Sequence, residues 1–376
     1  MKSLKQFLPV ITILILVLCL AFINPGKGTR SLIRLPISEA DFILKDTFAN
    51  FISVDKVIKL DTKSDGLVGL IVKAEVTDDR IFVLSQGPGP EINLLAFSLD
   101  GKFIRKFGSR GKGPGEVADL SGYFNDIIHK QVYLLDRFNK VVRLDYNGKV
   151  LSEFKCPEGA YNMVCLDEQY LAFAALGPNS LYITDLTGKE IRHFPSSKTS
   201  IPMVDYFPLV KTGKDFLLKL NLNDTLWLVK PDTLSPVYRI DYGSKSLSPK
   251  QYLEIPPGPN GVPIVPEHFM WGSEFKGSTA NQFCFFINYS RKKLLAYSNL
   301  ANQTTYVFEY KKIINDPILG KGFFPIGSFQ PDYFIGMNMP AVMDLAKIPA
   351  ALKSIGPIQA DDNPILVFYR FHFKPV

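Results

Sequence analysis

A short hairpin unit recurs along the chain and constrains the fold more than any other sequence feature. The first copy is NLLAFSLDGKFIRKF, residues 93–107, in which Asp100-Gly101 joins two apolar runs. An Asp-Gly pair in this setting predicts a tight hairpin, because glycine adopts the positive φ that the turn requires. Related units occupy residues 141–154, 180–194, 226–240 and 294–308.

The spacing of these hairpins predicts the architecture. Repeats of roughly 40 to 50 residues, each able to supply a four-stranded sheet, are typical of a β-propeller. The 29 phenylalanines and 16 tyrosines agree with an all-β fold, since aromatic residues are enriched in strands. We expect six blades: five at residues 67–107, 123–155, 161–194, 204–241 and 269–310, and a sixth built from residues 322–329, 332–337 and the two ends of the domain.

The chain ends supply the expected closure of the ring. Residues 51–61 alternate like a strand, and residues 364–373, PILVFYRFHF, form a strand pattern with no hairpin partner after it. If these two strands pair, the sheet edges that invite aggregation are removed. We therefore expect an all-β, six-bladed β-propeller over residues 51–376, closed by its terminal strands.

Two stretches do not fit the blade pattern. Residues 242–268 contain PPGPNGVPIVPEH and are too rich in proline for a central strand, so they predict a long loop. We expect this loop to overhang and gate the face of the ring on which a ligand would bind. Residues 339–355 have apolar positions at helical spacing with Pro349 among them, which predicts a short broken helix.

The N-terminus indicates export. Lys2 and Lys5 precede an apolar run over residues 7–23, so residues 1–28 are expected to be a signal peptide or membrane anchor, followed by a linker over residues 29–50. Cys19 follows Leu16-Val17-Leu18 as in a bacterial lipoprotein signal, except that Leu18 stands where a small residue is usual. Lipidation at Cys19 and an uncleaved anchor both remain open, and either places the domain outside the cytoplasm, in the cell envelope.

The distribution of charge bears on which partners the protein binds, and the cysteines bear on whether it contains a disulfide. The formal net charge of +7 comes from scattered Lys and Arg residues, which favours a solvated basic surface over nucleic-acid binding. Cys156 and Cys165 could bridge neighbouring strands in an oxidising compartment, or remain buried free thiols.

The loop GSRGKGPGE at residues 108–116, the phrase NDTLWLV at residues 223–229 and the ending DDNPILVFYRF at residues 361–371 carry a resemblance to a known family. Together they are similar to the six-bladed β-propeller proteins of Bacteroidetes, which are related to NHL-like and TolB-like propellers. The resemblance implies an exported protein or lipoprotein, and it implies no defined activity.

A cationic ligand face follows from placing the loops on a propeller plan. Loops that join one blade to the next share a face with loops that join second to third strands, and the residues expected there are Arg110, Lys112, Glu116, Arg137, Lys140, Arg291, Lys292 and Lys293. Since all but Glu116 are cationic, they predict an anionic ligand such as an acidic glycan or a carboxylate-rich peptide. The alternative is that turns are polar in any protein.

Other chemistries find little support. The glycines of residues 108–115 lack the GxxxxGK[ST] pattern and lie between strands, so a blade-to-blade crossing is favoured over a nucleotide site. The four histidines have no HxH or HExxH spacing, and no GxSxG motif is present. We expect no metal and no cofactor.

The sequence thus favours a membrane-tethered, extracytoplasmic module that binds a glycan, a peptide or an envelope protein. The alternative from a different class is a metal-dependent propeller hydrolase or lyase, similar to a lactonase. A purely structural subunit of an envelope complex is a third hypothesis.

Overall fold

The computed structural model describes residues 31–376 except residues 45, 63, 88–90, 197–206, 221, 260–262, 317–318 and 330. The expected signal or anchor over residues 1–28, including Cys19, therefore lies outside the described residues. Residues 34–376 cluster as one unit.

Twenty-seven strands are formed by the described residues. In chain order they are β1 (Ile33–Pro36), β2 (Ile52–Lys59), β3 (Leu70–Val76), β4 (Arg80–Gln86), β5 (Ile92–Ser98), β6 (Phe103–Phe107), β7 (Ser109–Arg110), β8 (Glu116–Val117), β9 (Leu120–Asp126), β10 (Gln131–Asp136), β11 (Lys140–Asp145), β12 (Val150–Lys155), β13 (Ala160–Leu166) and β14 (Tyr170–Ala175). The remainder are β15 (Asn179–Asp185), β16 (Glu190–Pro195), β17 (Leu209–Thr212), β18 (Asp215–Lys219), β19 (Thr225–Val229), β20 (Leu234–Asp241), β21 (Met270–Ser278), β22 (Gln282–Tyr289), β23 (Lys292–Asn299), β24 (Thr305–Glu309), β25 (Phe324–Phe329), β26 (Tyr333–Asn338) and β27 (Ile365–Phe371).

Six antiparallel sheets form a ring of blades, as the hairpin repeat predicts. Blades 1 to 5 are β3–β6, β9–β12, β13–β16, β17–β20 and β21–β24, and blade 6 has the order β25-β26-β27-β2. Contacts between neighbouring blades run through β9, β13, β17, β21, β25 and β3, which are the innermost strands. The six-bladed propeller is confirmed.

The second strand of each blade is buried on both faces because another blade lies on each side of it. In β4, Ile81, Phe82 and Val83 are fully buried, and β22 buries Phe283 and Phe285 completely. These strands therefore appear in the sequence as continuous apolar runs, whereas the exposed outer strand β16 has charged and apolar residues mixed.

The two ends of the domain close the ring as predicted. β2 pairs antiparallel with β27, from Ile52 opposite Phe371 to Lys59 opposite Ile365. An aromatic cluster supports the closure, with the rings of Tyr297 and Phe371 stacked at 3.9 Å between centroids.

Asn363 holds the start of β27 to the chain that leads into blade 1. Its side-chain nitrogen donates hydrogen bonds of 2.8 Å to the carbonyl oxygens of Asp61 and Gly66, and its side-chain oxygen accepts one of 2.8 Å from the Val68 amide. Asn363 is only 3% exposed, and its hydrogen bonds, of which the one to Gly66 is buried, join blade 6 to blade 1.

Residues 33–51 differ from the linker that the sequence predicts. β1 adds a fifth strand to the outer edge of blade 4 beside β20, and a short 3₁₀ turn follows at Glu39–Asp41. Phe42 then bridges to Val307 on the outer strand of blade 5, and a second 3₁₀ turn lies at Phe48–Phe51. The segment thus lines the outer edges of blades 4 and 5 before β2 completes blade 6. Its role was not predictable locally, because β1 finds its partner about two hundred positions away.

The repeated turn glycines sit against the preceding blade. Gly101 and Gly188 have positive φ values of 88° and 85°, and a β-carbon on either would collide with a carbonyl oxygen of the preceding outer strand, that of Lys59 or Lys155 respectively. In blade 2, a β-carbon on Gly148 would instead meet the guanidinium of Arg105, which is the mobile end of a long side chain. The motif therefore serves blade packing as well as turn formation.

Loops of the ring divide into two faces. We call the upper face the one with the loops between second and third strands and between blades, and the lower face the one with the loops between first and second and between third and fourth strands. The upper face holds helix α1 (Pro249–Glu254), helix α2 (Tyr310–Ile313) and 3₁₀ turns at Gly243–Lys245, Pro340–Val342 and Ala350–Ile355. The expected broken helix over residues 339–355 is thus a pair of 3₁₀ turns, with Pro349 at the N-cap of the second.

Candidate functional site

A cavity of about 310 Å³ lies on the axis of the ring, and every innermost strand contributes to its wall. The lining residues are Val72–Asp78 from blade 1, Phe124 and Ile127 from blade 2, Val164 from blade 3, Phe207, Leu209–Lys211 and Phe216 from blade 4, Phe275–Ser278 from blade 5, and Ile326–Phe329 from blade 6. Asp78 and Ile127 lie in loops that follow innermost strands, so the cavity reaches the lower face.

Small residues let three innermost strands approach one another around this cavity. A β-carbon on Gly277 of blade 5 would lie 2.7 Å from the Gly327 carbonyl oxygen of blade 6, and one on Gly327 would lie 2.6 Å from the Ala74 carbonyl oxygen of blade 1. Real β-carbons do not tolerate such distances, so these two glycines fix the width of the ring on this side.

The wall of the cavity is mostly apolar and aromatic, with a few charged groups that are already paired. The Lys73 ammonium lies 3.6 Å from the Glu75 carboxylate and 4.7 Å from the centre of the Tyr123 ring. Burial raises the pKa of the Tyr123 hydroxyl far above its ordinary value, and the Glu75 carboxylate adds to this effect. Tyr123 therefore stays neutral and is suited to hydrogen bonding rather than proton transfer.

A second paired group comes from blade 5. Lys276 forms an ion pair with Glu274 and lies 5.1 Å from the centre of the Phe324 ring, while Lys293 approaches Glu274 to 3.4 Å. Burial opposes ionisation of Glu274, but the Lys276 and Lys293 ammonium groups hold the pKa of its carboxyl below the ordinary value. The Lys276 charge is thus balanced within the protein.

Two charged side chains at the cavity mouth differ from these paired groups in having no partner within the described residues. Asp78 in blade 1 and Lys211 in blade 4 are exposed and line the cavity, and within the described residues neither side chain has a hydrogen-bond or ion-pair partner. Blades 1 and 4 are three positions apart in a six-membered ring, so these opposite charges belong to opposite sides of the cavity.

The structure separates the eight residues of the expected cationic face into two groups. Arg110, Lys112, Glu116, Arg137 and Lys140 lie on the upper face around blades 1 and 2, and Arg110 and Arg137 share a cleft of about 350 Å³. Arg291, Lys292 and Lys293 lie in blade 5, which is opposite blade 2. One compact ligand cannot contact both groups at once.

Most of these cations have acidic partners. Arg110 pairs with Glu91, Arg137 lies 3.3 Å from Asp119, Lys140 lies 3.4 Å from Glu153, Arg291 lies 2.8 Å from Glu267, and Lys292 lies 3.1 Å from Glu309. Lys112 instead lies 5.6 Å from the centre of the Phe138 ring, and Glu116 accepts a 2.8 Å hydrogen bond from the Gly113 amide. The positive charge of this face is therefore largely balanced.

The long loop over residues 242–268 packs onto the upper face. Leu247 and Tyr252 form a buried cluster with Leu222, from the loop between the second and third strands of blade 4. The Tyr242 and Ser273 hydroxyls are 2.9 Å apart and buried. The described part of the loop is thus anchored to blades 4 and 5.

The remaining expectations concern a disulfide between Cys156 and Cys165 and a metal site. Cys156 and Cys165 are free thiols in the structure, and burial raises the pKa of both to about 12, so neither is a reactive thiolate. In the part of the chain that the structure describes, no three His, Cys, Asp or Glu residues are grouped closely enough to hold a metal ion.

Lys73, Glu75, Lys211 and Lys276 were not among the residues predicted from the sequence. The signal that could have found them is a charge inside an otherwise apolar innermost strand, as in LIVKAEV of β3. A solvated surface strand shows the same alternation, so only the position on the axis distinguishes them.

No helix in the described part of the chain combines the length and the apolar character needed to span a bilayer.

Comparison with known proteins agrees with the fold. A family model described as a domain of unknown function (DUF4934) matches residues 38–370. A structure from Bacteroides fragilis, of a protein inferred to be exported, is similar with a TM-score of 0.76 at 17% identity, covering 91% of this chain and 99% of that one. A DUF4221 family member from Bacteroides vulgatus gives a TM-score of 0.50 at 9% identity, covering 86% of this chain and 99% of that one. Comparison with curated proteins gives no match.

Proposed function

The chain belongs to the DUF4934 family, and from that premise we propose that it is an exported binding module that holds a small ligand in its central cavity. The observation that carries this proposal is the axial cavity, to which all six blades contribute apolar or aromatic side chains. A concave, mostly apolar site with a few placed polar groups is the usual form of a small-molecule site. The paired ions Lys73–Glu75 and Lys276–Glu274 give the wall polarity without net charge.

Export and tethering are part of the proposal. The similarity to a Bacteroides protein inferred to be exported supports a position outside the cytoplasm, in agreement with Lys2, Lys5 and the apolar run after them. We propose that residues 1–28 anchor the domain, either by lipid at Cys19, as the resemblance to the six-bladed propeller proteins of Bacteroidetes implies, or as an uncleaved segment. Fractionation of cells that express the full chain tests this, and recovery as a soluble envelope protein would contradict the tether.

N-phenyl-1-naphthylamine, an uncharged apolar fluorescent probe, tests whether the cavity accepts a ligand. We expect saturable binding of one equivalent by the full chain, and binding about tenfold weaker in Val72→Trp, because the indole would fill part of the cavity. Ile191→Trp adds an indole on the exposed outer strand β16 and should leave binding unchanged. Equal binding by all three proteins would locate the probe elsewhere and remove the cavity proposal.

A second candidate is an anionic glycan or peptide on the upper face. It is favoured by the cleft that Arg110 and Arg137 share, with Lys112 on the same loop. Its probe is heparin, a sulfated glycan, whose affinity should fall about tenfold when Arg110→Ala and Lys112→Ala are combined. Lys149→Ala with Lys189→Ala removes the same charge from lower-face turns and serves as the control; equal losses would mean a non-specific charge effect.

A further inference from the structure

We propose that the ligand of the central cavity is a short apolar peptide with free termini, its ammonium group at Asp78 and its carboxylate at Lys211. This inference rests on the proposed function and adds the class of ligand. Charge is distributed unevenly over the cavity wall, because ion pairs neutralise the charges of the interior and leave those of the mouth unpaired.

The interior selects an apolar body. Lys73 has Glu75 at 3.6 Å, and Lys276 is paired with Glu274, so neither cation needs a counter-ion from a ligand. The rest of the wall includes the rings of Phe124, Phe207, Phe216, Phe275 and Phe329. Burying leucine- or phenylalanine-like side chains against these rings is favourable, whereas a charge buried there would lose hydration without gaining a partner.

The mouth selects two opposite charges. Asp78 and Lys211 belong to opposite blades, and neither has a partner within the residues described. A simple anion would engage Lys211 and leave Asp78 repelling it, and a simple cation would meet the reverse situation. A zwitterion whose charges lie at its two ends satisfies both groups, and a peptide with free termini has that form.

The size of the cavity sets the length of the ligand. A cavity of about 310 Å³ is at the lower end for small-molecule sites, which start near 300 Å³. An extended chain advances about 3.3 to 3.6 Å per residue, so two or three residues carry their terminal charges roughly 7 to 10 Å apart. We therefore infer a ligand of two or three residues, whose side chains enter the cavity and whose termini remain at its mouth.

The test is calorimetric titration of the full chain with Leu-Phe, Leu-Leu-Phe and Leu-Leu-Leu-Phe. The best of these is then compared with its N-acetylated, C-amidated and doubly blocked forms. We expect each block to weaken binding about tenfold, since each removes one charge-assisted contact. In Asp78→Asn, N-acetylation should no longer weaken binding, because the carboxylate that binds the peptide ammonium is gone. In Lys211→Gln, C-amidation should no longer weaken binding, because the ammonium that binds the peptide carboxylate is gone.

Matched controls lie on the same face. Asp332→Asn and Lys214→Gln change exposed charges in lower-face loops of blades 6 and 4 that do not line the cavity, and both should keep the discrimination against blocked peptides. Equally tight binding of the doubly blocked peptide would overturn the zwitterion proposal and leave the cavity proposal standing. Failure of every peptide in the series to bind would also overturn it. Equal binding of N-phenyl-1-naphthylamine by the full chain, Val72→Trp and Ile191→Trp would instead remove the proposed function itself.

Discussion

Asn363→Ala is expected to lower the free energy of unfolding by about 4 kcal/mol, which is a large fraction of the total of about 5 to 15 kcal/mol that is usual for a folded protein. The substitution removes the hydrogen bonds to the carbonyl oxygens of Asp61 and Gly66 and from the amide of Val68, at a side chain that is only 3% exposed. Each buried polar group left unsatisfied costs about 1 to 3 kcal/mol. Urea denaturation followed by tryptophan fluorescence measures the effect.

An exposed asparagine supplies the control for this prediction. Asn302 accepts a 3.1 Å hydrogen bond from the Thr304 amide in an exposed turn, where water can replace the lost group. Asn302→Ala should therefore cost under about 1 kcal/mol. If Asn363→Ala costs no more than the control does, the junction between blades 6 and 1 is held by other contacts.

Gly188→Ala is expected to cost about 3 kcal/mol, from two sources. The positive φ of 85° disfavours any residue with a β-carbon by about 1 kcal/mol or more, and the new methyl group meets the Lys155 carbonyl oxygen of the preceding blade. Relieving that collision requires a backbone shift, and overpacking of this kind costs about 1 to 3 kcal/mol. Thermal unfolding monitored by circular dichroism provides the measurement.

Gly148→Ala separates the two contributions. Its φ of 76° is similar, but the atom that its β-carbon would meet is the end of the Arg105 side chain, which can move away. The expected cost is about 1 to 2 kcal/mol, from backbone strain alone. Equal losses in the two variants would show that turn strain, and not blade packing, accounts for the glycine in this motif.

The fold could be predicted because its signals are local. Turn pairs such as Asp100-Gly101, period-two alternation and the unpaired strand pattern over residues 364–373 each report on a few neighbouring residues, and their spacing gives the ring. The pairing of β1 with β20 was missed because four residues with no nearby turn do not reveal a distant partner. Tertiary context alone decides that pairing.

The candidate site was less predictable for a related reason. Loop order places Arg110 and Arg137 on one face, but the acidic residues that balance them, Glu91 and Asp119, come from separate loops. Sequence alone cannot tell a free cation from a paired one. Likewise, Lys73 and Lys211 become cavity residues only once the innermost strand of each blade is known.

The position of β27 within blade 6 determines when the ring can close during synthesis. β27 comes after every other strand in the described part of the chain, yet it lies between β26 and β2 in its sheet, and its closure brings together Ser53 and His372, which are 319 positions apart. β2 must therefore wait for its partner until β27 has been translated. A truncated product that lacks β27 would have five complete blades, an open edge on β26 and an unpaired β2, which exposes incomplete copies to proteases and aggregation.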